Sequence, residues 1–248
     1  MSLPLLALET VSKSYWRGPH ELRVLAELSL EMDAGQFTVV WGKRGAGKTT
    51  LLKVAAGLES CDRGRVRFEG VDLASMSEGE HAQLLRERVA WIRRSGPYSE
   101  LPMLDYVALP LLPAWGHRGA YARAREAMQR VGIVECAQQH WKSLSDGERA
   151  LVGIARGIAR SPRLLLVDDP TANLAVQERE ELVELLRGLA EDGVGVLMTV
   201  PDMSEMMSAH QIGALSGGRI LAPPTPAPSG PPPQAGNVIE FPGAERFA

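Results

Sequence analysis

Along the chain, apolar and polar positions change period several times. Leu5 to Val11 and Leu22 to Leu30 contain strand-like stretches, separated by the turn residues Arg17-Gly-Pro-His20. Phe37-Thr-Val-Val-Trp41 is a short apolar run that predicts a buried strand, and the segment from Thr50 to Ala56 starts as a helix. A small strand is expected over Arg65 to Phe68, ending at Glu69-Gly70. Ser77 to Arg88 is polar and helical, and Val89-Ala-Trp-Ile92 is again a short buried strand. Leu104 to Trp141 is mostly helical with no strand pattern, so it is expected as a helical insertion. Glu148 to Arg160 predicts a helix stopped by Ser161-Pro162. Leu164-Leu-Leu-Val167 is continuously apolar, as for a strand covered on both faces. An amphipathic helix over Val176 to Glu191 and a buried strand over Val194 to Thr199 follow. Strands alternating with helices imply a parallel sheet with right-handed crossovers, an α/β fold.

Between the strand ending at Trp41 and the helix opening at Thr50 stands Gly42-Lys-Arg-Gly-Ala-Gly-Lys-Thr-Thr50. It fits G-x-x-x-x-G-K-[ST], and the strand–loop–helix context is what that pattern needs. Glycines at 42, 45 and 47 let the backbone N–H groups of Lys43, Arg44, Ala46 and their neighbours close around phosphate oxygens. The helix N-terminus adds partial positive charge. Lys48 is expected to reach the terminal phosphates, and Thr49 to place its hydroxyl on Mg²⁺. The magnesium needs an acidic partner at the end of a neighbouring strand. Leu164 to Asp169 supplies it, with Asp168 the first carboxylate and Asp169 the second.

Composition sets limits on the function. At 248 residues the chain can bury one full α/β core. A net charge of -3 gives no global basic field for nucleic acid. No apolar run approaches the ~18 residues that span a bilayer, and the start lacks the basic flank of a signal peptide. Cys61 and Cys136 sit in no metal-ligand spacing and are expected to be reduced thiols of a cytosolic protein. From Ala222 to Gly236 prolines dominate, which predicts an extended tail over 222–248. Asn237-Val-Ile-Glu-Phe241 within it reads as a disordered end or a docking peptide.

A third pattern, Leu144-Ser-Asp-Gly-Glu148, lies between the other two. Alone it reads as a helix cap. In order with the phosphate loop and Asp168 it resembles the LSGGQ signature of ATP-binding-cassette (ABC) ATPases, and Val152-Gly-Ile-Ala-Arg156 resembles the helix after it. The resemblance covers about Leu5 to Leu221. Asp72-Leu-Ala-Ser-Met-Ser-Glu, Arg86-Glu-Arg-Val-Ala-Trp and Asp105-Tyr-Val-Ala-Leu-Pro-Leu-Leu112 resemble the subgroup serving lipoprotein release, macrolide-type efflux and the division-associated complex. It implies a P-loop NTPase of ABC type over 1–221. An antiparallel β subdomain would lie at the N-terminus, and a helical subdomain at about 94–160 would be inserted beside the parallel core. The cofactors would be ATP and Mg²⁺. Tyr15, in Lys13-Ser-Tyr15, would stack on adenine. Ser145, Gly147 and Glu148 would form an anion site for the γ-phosphate of a second cassette in a head-to-tail dimer. The dimer would sit peripherally under an integral-membrane permease at the inner face of the membrane. Leu104 to Trp141 would face that permease, with Pro97 to Leu112 as the groove for its coupling helix.

Several positions depart from the family pattern. Asp169 stands for the Glu after the Mg-directing Asp. Pro201 stands for the γ-phosphate-sensing His, Arg94 for the lid-loop Gln and Ala175 for the loop-closing Asp. Asp146 stands for a signature Gly. His210, the next histidine, is expected in a following helix, too far on to substitute. Groups for binding survive while groups for the attacking water are lost. The resemblance therefore implies an ATP-binding transport subunit, an ABC-type ATPase with impaired turnover through Lys48, Asp168 and Asp169. The alternatives are a regulatory ATP-binding clamp or the degenerate half of a cassette pair. A nucleic-acid-maintenance ATPase fits less well, since its long coiled coil or second cassette is missing.

Overall fold

The computed structural model describes residues 3–93, 100–201 and 209–221. Arg94, residues 97–99 of the expected groove and the tail 222–248 lie outside the described residues.

Two sheets organise the fold. The first is antiparallel, with strands β1 (Leu6–Arg17), β2 (His20–Met32), β4 (Arg63–Phe68) and β5 (Val71–Asp72) in the order β2-β1-β4-β5. The second has the order β10-β9-β3-β8-β7-β6. It uses β3 (Phe37–Trp41), β6 (Val89–Arg93), β7 (Leu164–Asp168), β8 (Gly195–Val200), β9 (Gln211–Ser216) and β10 (Arg219–Leu221). All of its neighbouring pairs are parallel except β9–β10. The expected α/β class, antiparallel N-terminal subdomain and helical insertion are all present.

Continuous apolar runs make the central strands. Leu164 to Val167 and Val196 to Met198 are fully buried, each such side chain contributing roughly 1.5–3 kcal/mol. The period of two sorts them between two cores. Leu164, Leu166 and Leu197 face one core with the helix α1 (Lys48–Ala55) and the antiparallel sheet. Leu165, Val167 and Met198 face the other, with the helices over 103–130, 146–158 and 176–191.

The helical insertion carries α3 (Met103–Ala108) and α4 (Leu112–Arg130), kinked at Gly116 with φ 61° and ψ 177°. Helix α5 (Asp146–Ile158) then lies against β6. A Cβ at Gly153 or Gly157 would come 3.2 or 3.1 Å from Ile92, so the two glycines let helix and strand approach closely. Helix α2 (Glu78–Glu87) begins on a Ser77–Glu80 capping box, and α6 (Val176–Glu191) has the bounds that the sequence predicts.

The strands β9 and β10 are absent from the sequence reading, because Gly213, Gly217 and Gly218 interrupt their short apolar pattern. One expectation is corrected. His210 is not in a helix. It precedes β9, donates its N–H to the Phe37 carbonyl at 2.9 Å and accepts the Phe37 N–H on Nδ1 at 3.0 Å. Phe37 opens β3, whereas the phosphate loop leaves its far end. A strand of five residues separates them, about 13 Å at the usual rise. His210 is a structural residue of the opposite sheet edge.

Candidate functional site

The C-terminal ends of β3, β6, β7 and β8 converge on one edge of the parallel sheet, the place where open α/β sheets hold ligands. Gly42 to Thr50 wraps from β3 into α1 there. Gly45 and Gly47 have φ of 84° and 102°, conformations open to glycine. A Cβ on Gly47 would meet Val24 at 2.8 Å. Helix α1 starts without a side-chain cap and without an acidic residue in its first turn. By contrast, α2 and α5 both begin on full capping boxes. The first N–H groups of α1 are therefore left for an anion.

Lys48 folds back over the loop, donating from Nζ to the carbonyls of Gly42 at 2.6 Å and Lys43 at 3.4 Å. Thr49 donates its hydroxyl to Asp168 Oδ2 at 2.8 Å. The other carboxylate oxygen, Oδ1, accepts from the buried Thr199 hydroxyl at 3.0 Å. One hydroxyl and one carboxylate are a hard-oxygen pair, and Mg²⁺ is commonly held by such a pair together with substrate phosphates. Among the described residues no cluster of three or more His, Cys, Asp or Glu offers an all-protein metal cage. Thr49 and Asp168 thus fit a magnesium that arrives with a nucleotide.

A cleft of about 550 Å³ opens over these groups, lined by Arg44, Lys48, Thr49, Arg93, Asp168 and Asp169 among others. Asp169 has φ 48°, and its N–H donates to the Thr199 carbonyl at 3.0 Å. Pro201 follows β8 and is exposed. Its neighbour Val200 accepts the Gly42 N–H at 3.1 Å, so Pro201 borders the start of the phosphate loop.

Tyr15 stands at the other end of the loop. Its hydroxyl lies 3.4 Å from Thr50 Oγ1 and makes a short hydrogen bond to Glu59, which in turn holds Lys53 at 2.7 Å. Burial, then the Glu59 carboxylate, raises the Tyr15 pKa above its ordinary value. The ring is therefore a neutral, anchored platform beside Thr50.

Ser145, Gly147 and Glu148 do not line this cleft. They form the N-terminus of α5, where the Ser145 Oγ accepts the Glu148 N–H at 3.1 Å and Glu148 accepts the Ser145 N–H at 2.7 Å. The capping reading holds. A Cβ on Gly147 would meet Glu178 Oε1 at 2.8 Å. Asp146 pairs with Arg149 at 3.0 Å. A second hollow of about 360 Å³, lined by Trp141, Asp146, Arg149, Ala172 and Arg93, separates this helix end from Asp168. Ala175 is the first-turn boundary of α6 and has no side-chain cap; its N–H donates to Glu178 at 2.8 Å.

Two residues of the site escaped the sequence reading. Thr199 is a single polar residue in an apolar strand, a signal that was available. Arg93 stands one position before the residue that the family pattern singles out.

The profile of the ABC transporter family matches residues 25–172. The chain belongs to the ABC transporter family. It is 33% identical over 224 residues to a macrolide export ATP-binding/permease protein of Paracoccus denitrificans, covering 88% of this chain and 33% of that protein. It is 34% identical over 209 residues to a lipoprotein-releasing system ATP-binding protein of Chromohalobacter salexigens, covering 84% of this chain and 88% of that one. The chain thus spans about a third of the macrolide export relatives and most of the lipoprotein-releasing one. Among solved structures, it resembles a dimeric ATP-binding cassette in a post-hydrolysis state bound to ADP and Pi. The TM-score is 0.76 with 26% identity, over 87% of this chain and 96% of that chain. The cassette is accordingly an ABC-type ATPase domain of the subgroup that its sequence resembles. No helix among its described residues is long and apolar enough to cross a membrane.

Proposed function

We propose that this cassette is the ATP-binding subunit of a transporter, binding Mg-ATP at the cleft above Asp168 and acting on a membrane permease. The observation that carries the reading is the Thr49–Asp168–Thr199 chain of hydrogen bonds beneath the phosphate loop. It presents hydroxyl and carboxylate oxygens where a nucleotide-borne magnesium needs them. Lys48 and the uncapped N–H groups of α1 take the phosphates, and Tyr15 supports the base. The magnesium, once bound, neutralises phosphate charge.

Two such chains would pair head to tail, because Ser145 and Gly147 stand apart from their own chain's cleft. A solved neighbour that is a dimeric cassette supports pairing of two such chains. The permease would be a separate chain or a further part of the same protein, as in the relatives named ATP-binding/permease proteins. The assembly places the cassette peripherally on the cytoplasmic face.

Asp169, Pro201 and Ala175 favour slow turnover, with the chain serving as a clamp or as the degenerate partner in a cassette pair. Asp169 keeps a carboxylate at the cleft but lacks one methylene of reach. A base misplaced by about 1 Å costs on the order of a hundredfold in rate. Pro201 offers neither donor nor acceptor beside the loop. Steady-state ATP hydrolysis by the purified chain, alone and with its permease, together with ATP binding by calorimetry, tests the reading. Tight Mg-ATP binding lost in Lys48→Ala supports it, and equal affinity in parent and variant refutes it.

A further inference from the structure

Arg93 closes β6 directly beside Asp168, its register partner on β7. The period of two fixes the direction of its side chain. Val89 and Trp91 pack toward the core around α1, while Ala90 and Ile92 pack toward the helical side. Arg93 therefore shares the α1 face with Asp168, which has the parity of Leu164 and Leu166. It lines the nucleotide cleft. Its guanidinium lies 5.2 Å from the centre of the Trp91 ring, a cation–π contact that keeps it beside the sheet edge. Among the described residues no carboxylate forms an ion pair with it. Together with Arg44 and Lys48 it sets three cations against Asp168 and Asp169.

We propose that Arg93 is a nucleotide-binding residue that places a fixed positive charge on the terminal phosphates beside Asp168, and that the cleft consequently holds ATP even without a divalent metal. The inference rests on the proposed nucleotide site. An arginine fork meets phosphate oxygens bidentately and stays charged at any working pH. Magnesium and Arg93 then act on the same phosphate charge, so removal of either is partly covered by the other. The Arg93 contribution is largest when the metal is absent.

The test is calorimetric titration of ATP into the full chain, in excess Mg²⁺ and again in excess EDTA. The parent is compared with Arg93→Gln, Arg93→Lys and Lys48→Ala. The parent is expected to keep ATP affinity in EDTA within about tenfold of its value in Mg²⁺. Arg93→Gln should weaken EDTA binding about tenfold or more, the usual scale for a hydrogen bond to a charged group, and Mg-ATP binding less. Arg93→Lys should fall between, since it keeps the charge but not the fork. Arg93 is exposed, so the variants should melt as the parent does. Equal losses in the two buffers, no loss in EDTA, or a parent that requires magnesium to bind at all would overturn the inference. A parent that binds Mg-ATP through Lys48 while Arg93→Gln changes nothing overturns this inference alone. A parent that binds ATP in neither buffer overturns the proposed function with it.

Discussion

Thr199 donates its hydroxyl to Asp168 Oδ1 at 3.0 Å from a position with no solvent exposure. The two residues sit in register on neighbouring parallel strands. Asp168 thereby keeps Oδ2 turned toward Thr49. Thr199→Val preserves the side-chain shape and deletes only the donor. Apparent Mg²⁺ affinity in the presence of ATP should fall about 10- to 100-fold, as for other partners that orient metal ligands. ATP binding in EDTA should change far less. Metal titrations followed by calorimetry separate the two effects, and an unchanged Mg²⁺ affinity would remove Thr199 from the site.

Ala175 precedes α6 with φ -64° and ψ 160°, the extended conformation of a helix cap, yet has no side chain to cap with. Ala175→Asp restores an acceptor for the first-turn N–H groups and puts negative charge at the positive helix end. It should stabilise the fold by about 1 kcal/mol, less whatever repulsion the nearby Glu178 adds. In a chain of this size that is a rise of about 2–4 °C in Tm. A lower Tm for the variant would contradict the cap geometry.

The parts legible in the sequence were those whose chemistry is contiguous. Gly42 to Thr50 spells out a loop, and Leu164 to Asp168 spells out a buried strand ending in a carboxylate. Contacts across strands were not legible. Thr199 meets Asp168 only because β7 and β8 pair in one particular register, which no local pattern states. Arg93 and Arg94 are equivalent as letters, and it took the packing of Trp91 and Ile92 to say which face Arg93 takes. His210 was expected in a following helix, whereas its backbone N–H and its imidazole Nδ1 both pair with the Phe37 backbone and hold it at the far edge of the sheet. The signature, by contrast, was legible as a helix cap. Ser145 and Glu148 form the capping box that their spacing predicts, and the anion role would use the same helix end.

The Glu148 carboxylate has its pKa lowered, chiefly by the Ser145 backbone N–H it accepts; the Cys136 thiol adds to this. The same contact, with burial as the larger cause, pushes the Cys136 thiol up to about 11. A carboxylate with a depressed folded pKa stabilises the fold above its unfolded value, and that stability is lost as pH falls through the folded value. Glu148→Gln keeps the acceptor and removes the charge. Parent and variant should differ in urea midpoint at pH 7. The gap should close as pH falls below about 4, where the ordinary carboxylate protonates. A gap that persists unchanged at low pH would mean that the charge of Glu148 contributes nothing to the start of α5.

Turnover is the sharpest test of the departures from the family pattern. Asp169 lines the cleft, and its backbone is tied to Thr199. Pro201 borders the loop through its neighbour Val200, which accepts the Gly42 N–H. Both therefore stand around the proposed phosphate end of the cleft, where a base and a water-positioning imidazole would act as one unit. Asp169→Glu restores reach but leaves the water unheld; Pro201→His holds it but leaves the base short. Each single change should raise kcat by less than about tenfold. The double variant should exceed the product of the two, as groups acting together do. Single-turnover assays in Mg²⁺ isolate the chemical step from nucleotide release. A parent that already turns over in the roughly 1–10³ s⁻¹ range of ordinary enzymes would mean that Asp169 alone suffices. Effects that simply multiply would mean that positions 169 and 201 act on different steps.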